Sequence, residues 1–192
     1  MPTVVVATGN PGKLKEMQVY LDALGWELQL KPDAIDIKET GTTFLENARL
    51  KASGVAQALG QWAIADDSGL QVKALGGAPG IYSARYAPSD RARIDRLLQE
   101  LEGIDHRQAQ FVCALALANP AGQIVVETEG ICPGEILLAP RGTGGFGYDP
   151  IFYVPALGQS FAEMSPQQKE QHSHRGVAFN QLMPKLQQLA LE

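Results

Sequence analysis

A short β-branched run, Thr3 to Ala7 (TVVVA), passes without a break into the loop Thr8 to Lys13 (TGNPGK), and Leu14, Met17, Leu21 and Leu24 then recur at helical spacing until Gly25. Strand, tight loop and helix in that order commit the start of the chain to α/β organisation, with the glycine as the helix stop. A strand is expected around Glu27 to Leu30. Thr43, with Glu46 three residues on, forms a capping box before Phe44, Ala48, Ala52, Val55 and Leu59, which share one helical face, so a second helix is expected over about Thr43 to Leu59. Trp62 to Ala65 reads as a buried strand and Gly76 to Gly80 (GGAPG) as an irregular loop. Ile94, Leu97, Leu98 and Leu101 form a third helical stripe.

Beyond Gly103 the period changes. Ala109 to Ala118 and Gln123 to Ile131 are strand-like and are joined by Asn119-Pro120-Ala121-Gly122, which is turn chemistry, so a long antiparallel hairpin is expected. Gly142 to Tyr148 (GTGGFGY) carries four glycines in seven positions, which suits a loop whose backbone approaches a ligand. A short strand, Ile151 to Val154, should follow. Ser165-Pro166 starts a short helix, and a last helix runs from about Gly176 with Pro184 kinking or dividing it. The expected fold is α/β: a mixed, long curved central sheet flanked by helices, shaped into two lobes with a cleft. Residues 1–192 form one domain with no independent linker.

Composition narrows the function. Hydrophobic residues make up 45% and charged residues 19% of the 192, as in a globular chain rather than a disordered one. A net charge of −5 argues against nucleic acid as a general partner and leaves an anionic ligand needing a focused site. No apolar stretch approaches the roughly 18 residues that span a bilayer, and Val4 to Ala7 is too short for a signal-peptide core, so no membrane partner and a cytoplasmic location are expected. Cys113 and Cys132 form no CxxC pair and read as two buried thiols in apolar, strand-like surroundings. The three histidines make no zinc pattern, so any metal must be oxygen-ligated.

Four clusters can carry chemistry. In TGNPGK, backbone N–H groups at a helix N-terminus beside Lys13 attract phosphate. It is not a Walker A loop, since only two residues separate Gly9 from Gly12 and Leu14 follows the lysine, and it is equally an ordinary βα turn with a surface lysine. Asp66-Asp67-Ser68-Gly69 is expected to end the strand from Trp62, one aspartate facing the cleft and the other supporting the turn. Two carboxylates and a hydroxyl suit Mg²⁺, with Glu39 a second carboxylate source, or else form a solvated Asx turn. Phe146-Gly147-Tyr148-Asp149 offers an aromatic face and a carboxylate, for base stacking or for anchoring a loop in the core. Ser173-His174-Arg175-Gly176 offers donors for carbonyl or phosphate oxygens, or a helix-start surface contact.

In order, ATGNPGK (Ala7 to Lys13), TFLENARLKA (Thr43 to Ala52), ADDSGL (Ala65 to Leu70), GGAPGIYSARYA (Gly76 to Ala87), GTGGFGYDPIF (Gly142 to Phe152) and SHRG (Ser173 to Gly176) resemble the inosine/xanthosine triphosphate pyrophosphatase family, most of all its bacterial dITP/XTP branch. The match covers nearly the whole chain. The resemblance implies a two-lobed mixed α/β fold, a homodimer, and Mg²⁺-dependent hydrolysis of ITP, dITP and XTP to the monophosphate and pyrophosphate, which removes deaminated purines before polymerases incorporate them.

Carried onto matching positions, the resemblance gives the triphosphate to Thr8, Gly9, Asn10, Pro11, Gly12 and Lys13, and the metal to Glu39 and Asp67. Asp67 is also the family's proton acceptor, or else orients a metal-held water, because a carboxylate bound directly to Mg²⁺ is a poor base. Lys51 and Ser68 are implied near the phosphates. Phe146 is implied to stack on the purine, with Gly147, Tyr148, Asp149, Lys169, His174 and Arg175 around it; the family pattern often has Trp where this chain has Tyr148. Two rivals remain: a P-loop NTPase releasing orthophosphate, and a non-catalytic purine nucleotide sensor, which would not need Glu39, Asp67 and Lys51.

Overall fold

The opening βα unit forms as the sequence predicts. Strand β1 (Thr3–Val6) leads into helix α1 (Pro11–Leu21), and the chain returns as β2 (Glu27–Leu30), in parallel register with β1 from Thr3 opposite Glu27 to Val6 opposite Leu30. The computed structural model describes residues 3–189. Helix α2 (Phe44–Leu59) has the expected reciprocal cap between Thr43 and Glu46, and β3 (Trp62–Val72) pairs in parallel with β1. Then come α3 (Asp90–Glu100), β4 (Gln108–Ala118), β5 (Ile124–Ile136), β6 (Phe152–Val154), β7 (Gln159–Ser160), α4 (Pro166–His172) and α5 (His174–Leu186). The strands form one seven-stranded sheet in the order β2-β1-β3-β4-β5-β6-β7, parallel at the β2-β1-β3 end and antiparallel from β5 to β7. The mixed α/β sheet flanked by helices is thus present.

Several boundaries differ from expectation. The Asp66-Asp67-Ser68-Gly69 run does not end its strand; β3 continues to Val72, so no turn exists for either aspartate to support. The hairpin strands extend further, β5 passing through Pro133 and Gly134 to Ile136, where β6 comes so close that a Cβ on Gly134 would lie 2.5 Å from the Tyr153 carbonyl oxygen. Ile151 belongs to a 3-10 turn (Asp149–Ile151) and the strand starts at Phe152. Helix α5 begins at His174, not Gly176, and Pro184 lies inside its last turn without dividing it.

The chain packs as two units. The first holds the residues up to Asp67, Cys113–Gly130, and those from Val177 on. Its core joins Val4 and Val6 of β1, Met17 and Leu21 of α1, Ile64 of β3, Leu115 and Leu117 of β4, and Phe179 and Leu182 of α5, with Tyr20 stacked on Phe179 at 4.4 Å between centroids. The second unit, Ser68–Val112 with Ile131–Gly176, has its own core. There Leu70 and Val72 of β3 pack with Leu97 of α3 and an aromatic group, Phe111, Phe152 and Phe161, in edge-on and stacked contacts of 4.6 to 5.5 Å. Each fully buried side chain of this size contributes about 1.5–3 kcal/mol, so each unit anchors the site residues on its own strands.

Candidate active site

In the first unit the phosphate-loop candidates form a tight helix cap. Asn10 caps α1: its Oδ1 accepts from the Gly12 N–H at 2.9 Å and the Lys13 N–H at 3.3 Å, while Thr8 Oγ1 accepts from the Asn10 N–H at 3.1 Å. Pro11, with no N–H to lose, occupies the first turn, and Gly9 is exposed. The amides expected to point at an anion are therefore already engaged by Thr8 and Asn10. What the loop presents is the positive end of α1 and the Lys13 ammonium.

Asp66 and Asp67, neighbours on β3, face opposite ways as strand geometry requires. Asp66 is 1% exposed and forms an ion pair with Lys13. Asp67 is 7% exposed and accepts from Lys51 Nζ through Oδ1 at 2.9 Å. Lys51, on α2, also reaches Glu39 Oε1 at 2.8 Å and the Asp66 carbonyl oxygen at 2.8 Å, so its three N–H donors meet two carboxylates and one carbonyl. Burial opposes the Lys51 charge, but Asp67 and Glu39 together outweigh it and hold the ammonium above its usual pKa. Burial pushes the Asp67 carboxyl up, against the pull of Lys51 and Lys13.

Glu39 sits on the segment before α2, which two contacts fix. The Asn47 side chain, fully buried on the apolar face of α2, accepts from the Gly41 N–H at 2.8 Å, and a Cβ at Gly41 would lie 2.7 Å from that oxygen. Ile37 lies against Gly54 of α2, where a Cβ would come within 2.6 Å. Asn47 escaped the sequence reading, although a polar residue three after Phe44 on an apolar helical face was the available signal.

These residues fit a divalent cation. Asp67 Oδ2 is buried and has no hydrogen-bond partner among the described residues, and Glu39 shares the Lys51 ammonium with it. No group of three His, Cys, Asp or Glu suited to a metal is found among the described residues. Two carboxylates with the remaining positions left to phosphate and water is how Mg²⁺ is commonly held.

In the second unit the base-pocket candidates form a connected set. Asp149 Oδ2 accepts from the Phe146 N–H at 3.0 Å and from Lys169 Nζ at 2.9 Å, and Lys169 Nζ stands 5.4 Å from the Phe146 ring centroid. The Gly147 N–H donates to Asp90 Oδ2 at 2.8 Å, and the Gly144 N–H to the Ala162 carbonyl at 3.0 Å. His174 stacks on Phe111, centroids 4.6 Å apart, and Arg175, 2% exposed, donates to Ser68 Oγ at 3.1 Å. Ser68, assigned to phosphate by resemblance, thus meets a side chain assigned to the base.

Tyr148, expected at the polar edge of a base, is turned into the core. It is 4% exposed within the core, its hydroxyl donates to the Ser83 carbonyl at 2.9 Å, and burial raises its pKa. It anchors the glycine loop, and the FGYD pattern could not show which way the ring turns. The two cysteines are buried thiols as expected, but Cys113 is not in purely apolar surroundings: its thiol donates to Asp66 Oδ2 at 3.0 Å.

The same architecture recurs in solved proteins. A Ham1 protein from Coxiella burnetii matches with TM-score 0.89 and 44% identity over 98% of this chain and 100% of that one. The Staphylococcus aureus Ham1 protein matches with TM-score 0.85 and 44% identity over 96% and 98%. A Synechocystis protein named dITP/XTP pyrophosphatase is 62% identical over 95% of this chain and 94% of its own. With residues 4–185 matching the Ham1 family along nearly their whole length, the chain belongs to that family.

Proposed function

We propose that this chain hydrolyses non-standard purine nucleoside triphosphates, dITP, XTP and ITP, to the monophosphate and pyrophosphate, and so clears deaminated purines from the cytoplasmic nucleotide pool. The observation that carries the reading is the convergence of Glu39 and Asp67 on one ammonium, with Asp67 Oδ2 buried and without a hydrogen-bond partner among the described residues. A relative at 62% identity bearing the name dITP/XTP pyrophosphatase supports the same reaction.

In this reading Glu39 and Asp67 hold Mg²⁺, which when bound supplies charge neutralisation at the phosphates and a more acidic water. Lys13 and the N-terminus of α1 attract the triphosphate, competing with Asn10 for the Gly12 and Lys13 amides. Lys51 keeps the two carboxylates together and balances their charge until phosphate arrives. Lys51 donates to Asp67 Oδ1, and Oδ2 has no hydrogen-bond partner among the described residues, so Asp67 would serve as metal ligand or as proton acceptor. Burial makes that carboxylate more basic than an exposed one, which favours proton transfer from an attacking water.

Phe146 stacks on the base; Asp149, Lys169, His174 and Arg175 serve its edge, and Tyr148 acts through the loop it anchors. Donors from His174 or Arg175 suit a 6-oxo group and find no acceptor in the 6-amino group of adenine. The protein acts as one domain and, by the resemblance, as a homodimer.

No helix among the described residues is long and apolar enough to cross a membrane. Pyrophosphate release measured with Mg²⁺ on ITP, dITP, XTP, ATP and GTP tests the reading. The first three are expected to react far faster, equal rates on all five would reject the base specificity, and binding without turnover would make the chain a nucleotide sensor.

A further inference from the structure

Asp66 has no part in the reaction just described, yet it is the most enclosed carboxylate of the first unit. Its side chain is 0% exposed, one oxygen is paired with Lys13 Nζ, and the other accepts from the Cys113 thiol at 3.0 Å across the β3–β4 pairing. Cys113 is itself fully buried beside Ile64 and Leu115. Burying an ion pair typically returns less than its desolvation costs, and apolar residues of similar size often do better, so fold stability alone accounts poorly for it. What the arrangement provides is placement. An ammonium on a flexible four-carbon stem is tied beside the Thr8–Lys13 loop by its pair with Asp66.

We propose that Asp66 is the positioning residue for Lys13, and that the Cys113 thiol fixes the Asp66 carboxylate, so that a Cys113–Asp66–Lys13 chain presets the ammonium for a triphosphate oxygen. The proposal rests on the phosphate role given to Lys13. It makes a prediction opposite to simple electrostatics: removing a negative charge next to an anion site should tighten anion binding if charge alone matters, and weaken it if placement does. A thiol suits the inner position because it packs as a small apolar group and still donates a weak hydrogen bond.

The test is calorimetric titration with inorganic tripolyphosphate in Mg²⁺, which has no base and needs no turnover. Asp66→Asn is expected to weaken binding by roughly tenfold or more, the usual effect of losing a charge-assisted hydrogen bond. Cys113→Val should weaken it about threefold, and Cys113→Ser, which restores a donor, should recover most of that loss. With ITP and ATP the loss should be the same factor for both and should appear in KM rather than kcat. Tighter binding by Asp66→Asn, or binding within twofold of the native protein with only a lowered Tm, overturns the positioning role. If Asp66→Asn does not fold, the Cys113→Val and Cys113→Ser pair decides, and equal affinity in those two overturns it. Native protein that fails to bind tripolyphosphate, or Lys13→Ala that binds it normally, refutes the phosphate role of Lys13 and this proposal with it.

Discussion

Two glycines of the base loop, Gly145 and Gly147, separate backbone strain from loss of a specific contact. Both have left-handed backbones, φ 72° and 61°, so alanine at either costs about 1 kcal/mol. A Cβ at Gly147 meets nothing within 4 Å, whereas one at Gly145 would lie 1.9 Å from Asp149 Oδ2. That oxygen accepts from the Phe146 N–H and from Lys169, so Gly145→Ala forces Asp149 aside and breaks both bonds that hold the loop at Phe146, the proposed stacking residue. With about 1.5–3 kcal/mol for a charged hydrogen bond and some relaxation, the added cost is about 2–4 kcal/mol. In kcat/KM for ITP that is roughly one and a half to three decades for Gly145→Ala, against less than one for Gly147→Ala. Steady-state kinetics on both variants, with Tm recorded to confirm folding, measures the difference. Equal losses would show that strain alone is at work and that Asp149 does not organise the loop.

Other substitutions probe the first unit and the base edge. Lys51→Met leaves Glu39 and Asp67 facing each other without a cation, which should cost about 3 kcal/mol, or roughly 6–12 °C in Tm for a chain of this length. Mg²⁺ should then raise Tm more in Lys51→Met than in the native protein, as calorimetry would show; an unchanged metal response would separate the carboxylates from the metal. Asp67→Asn is expected to abolish turnover at saturating Mg²⁺ while keeping or raising Tm, because burial already disfavours the Asp67 charge; near-native rates would remove Asp67 from the reaction. Arg175→Ala should lower kcat/KM for ITP by about one to two decades and for ATP much less, and an equal loss on both would take Arg175 out of base recognition.

Local rules carried the sequence reading where neighbours along the chain decide the outcome. The Thr43–Glu46 box and the short β2 were legible because each rests on residues within one turn of the element. The length of β3 was not. Asp, Asp, Ser and Gly are turn formers, and cations remote in sequence, Lys13 on α1 and Lys51 on α2, pair with the aspartates in the strand. The same remoteness hid the Lys13–Asp66 pair and the Cys113 thiol behind it. Motif order pointed to the candidate base-site residues, but the burial of Tyr148 depends on a backbone carbonyl, that of Ser83, 65 residues away. The loop residues most exposed to tertiary context were those least readable from spacing.

The chain is proposed to cleave between the α and β phosphates with water, using the Glu39, Asp67 and Lys51 cluster. Turnover of ITP with Mg²⁺ in ¹⁸O-labelled water, followed by ³¹P NMR and mass spectrometry of the products, tests it most directly. IMP and pyrophosphate, with label in only one of them, are the expected result. IDP with labelled orthophosphate as the first products would place the cleavage at the β-to-γ bond and contradict the account.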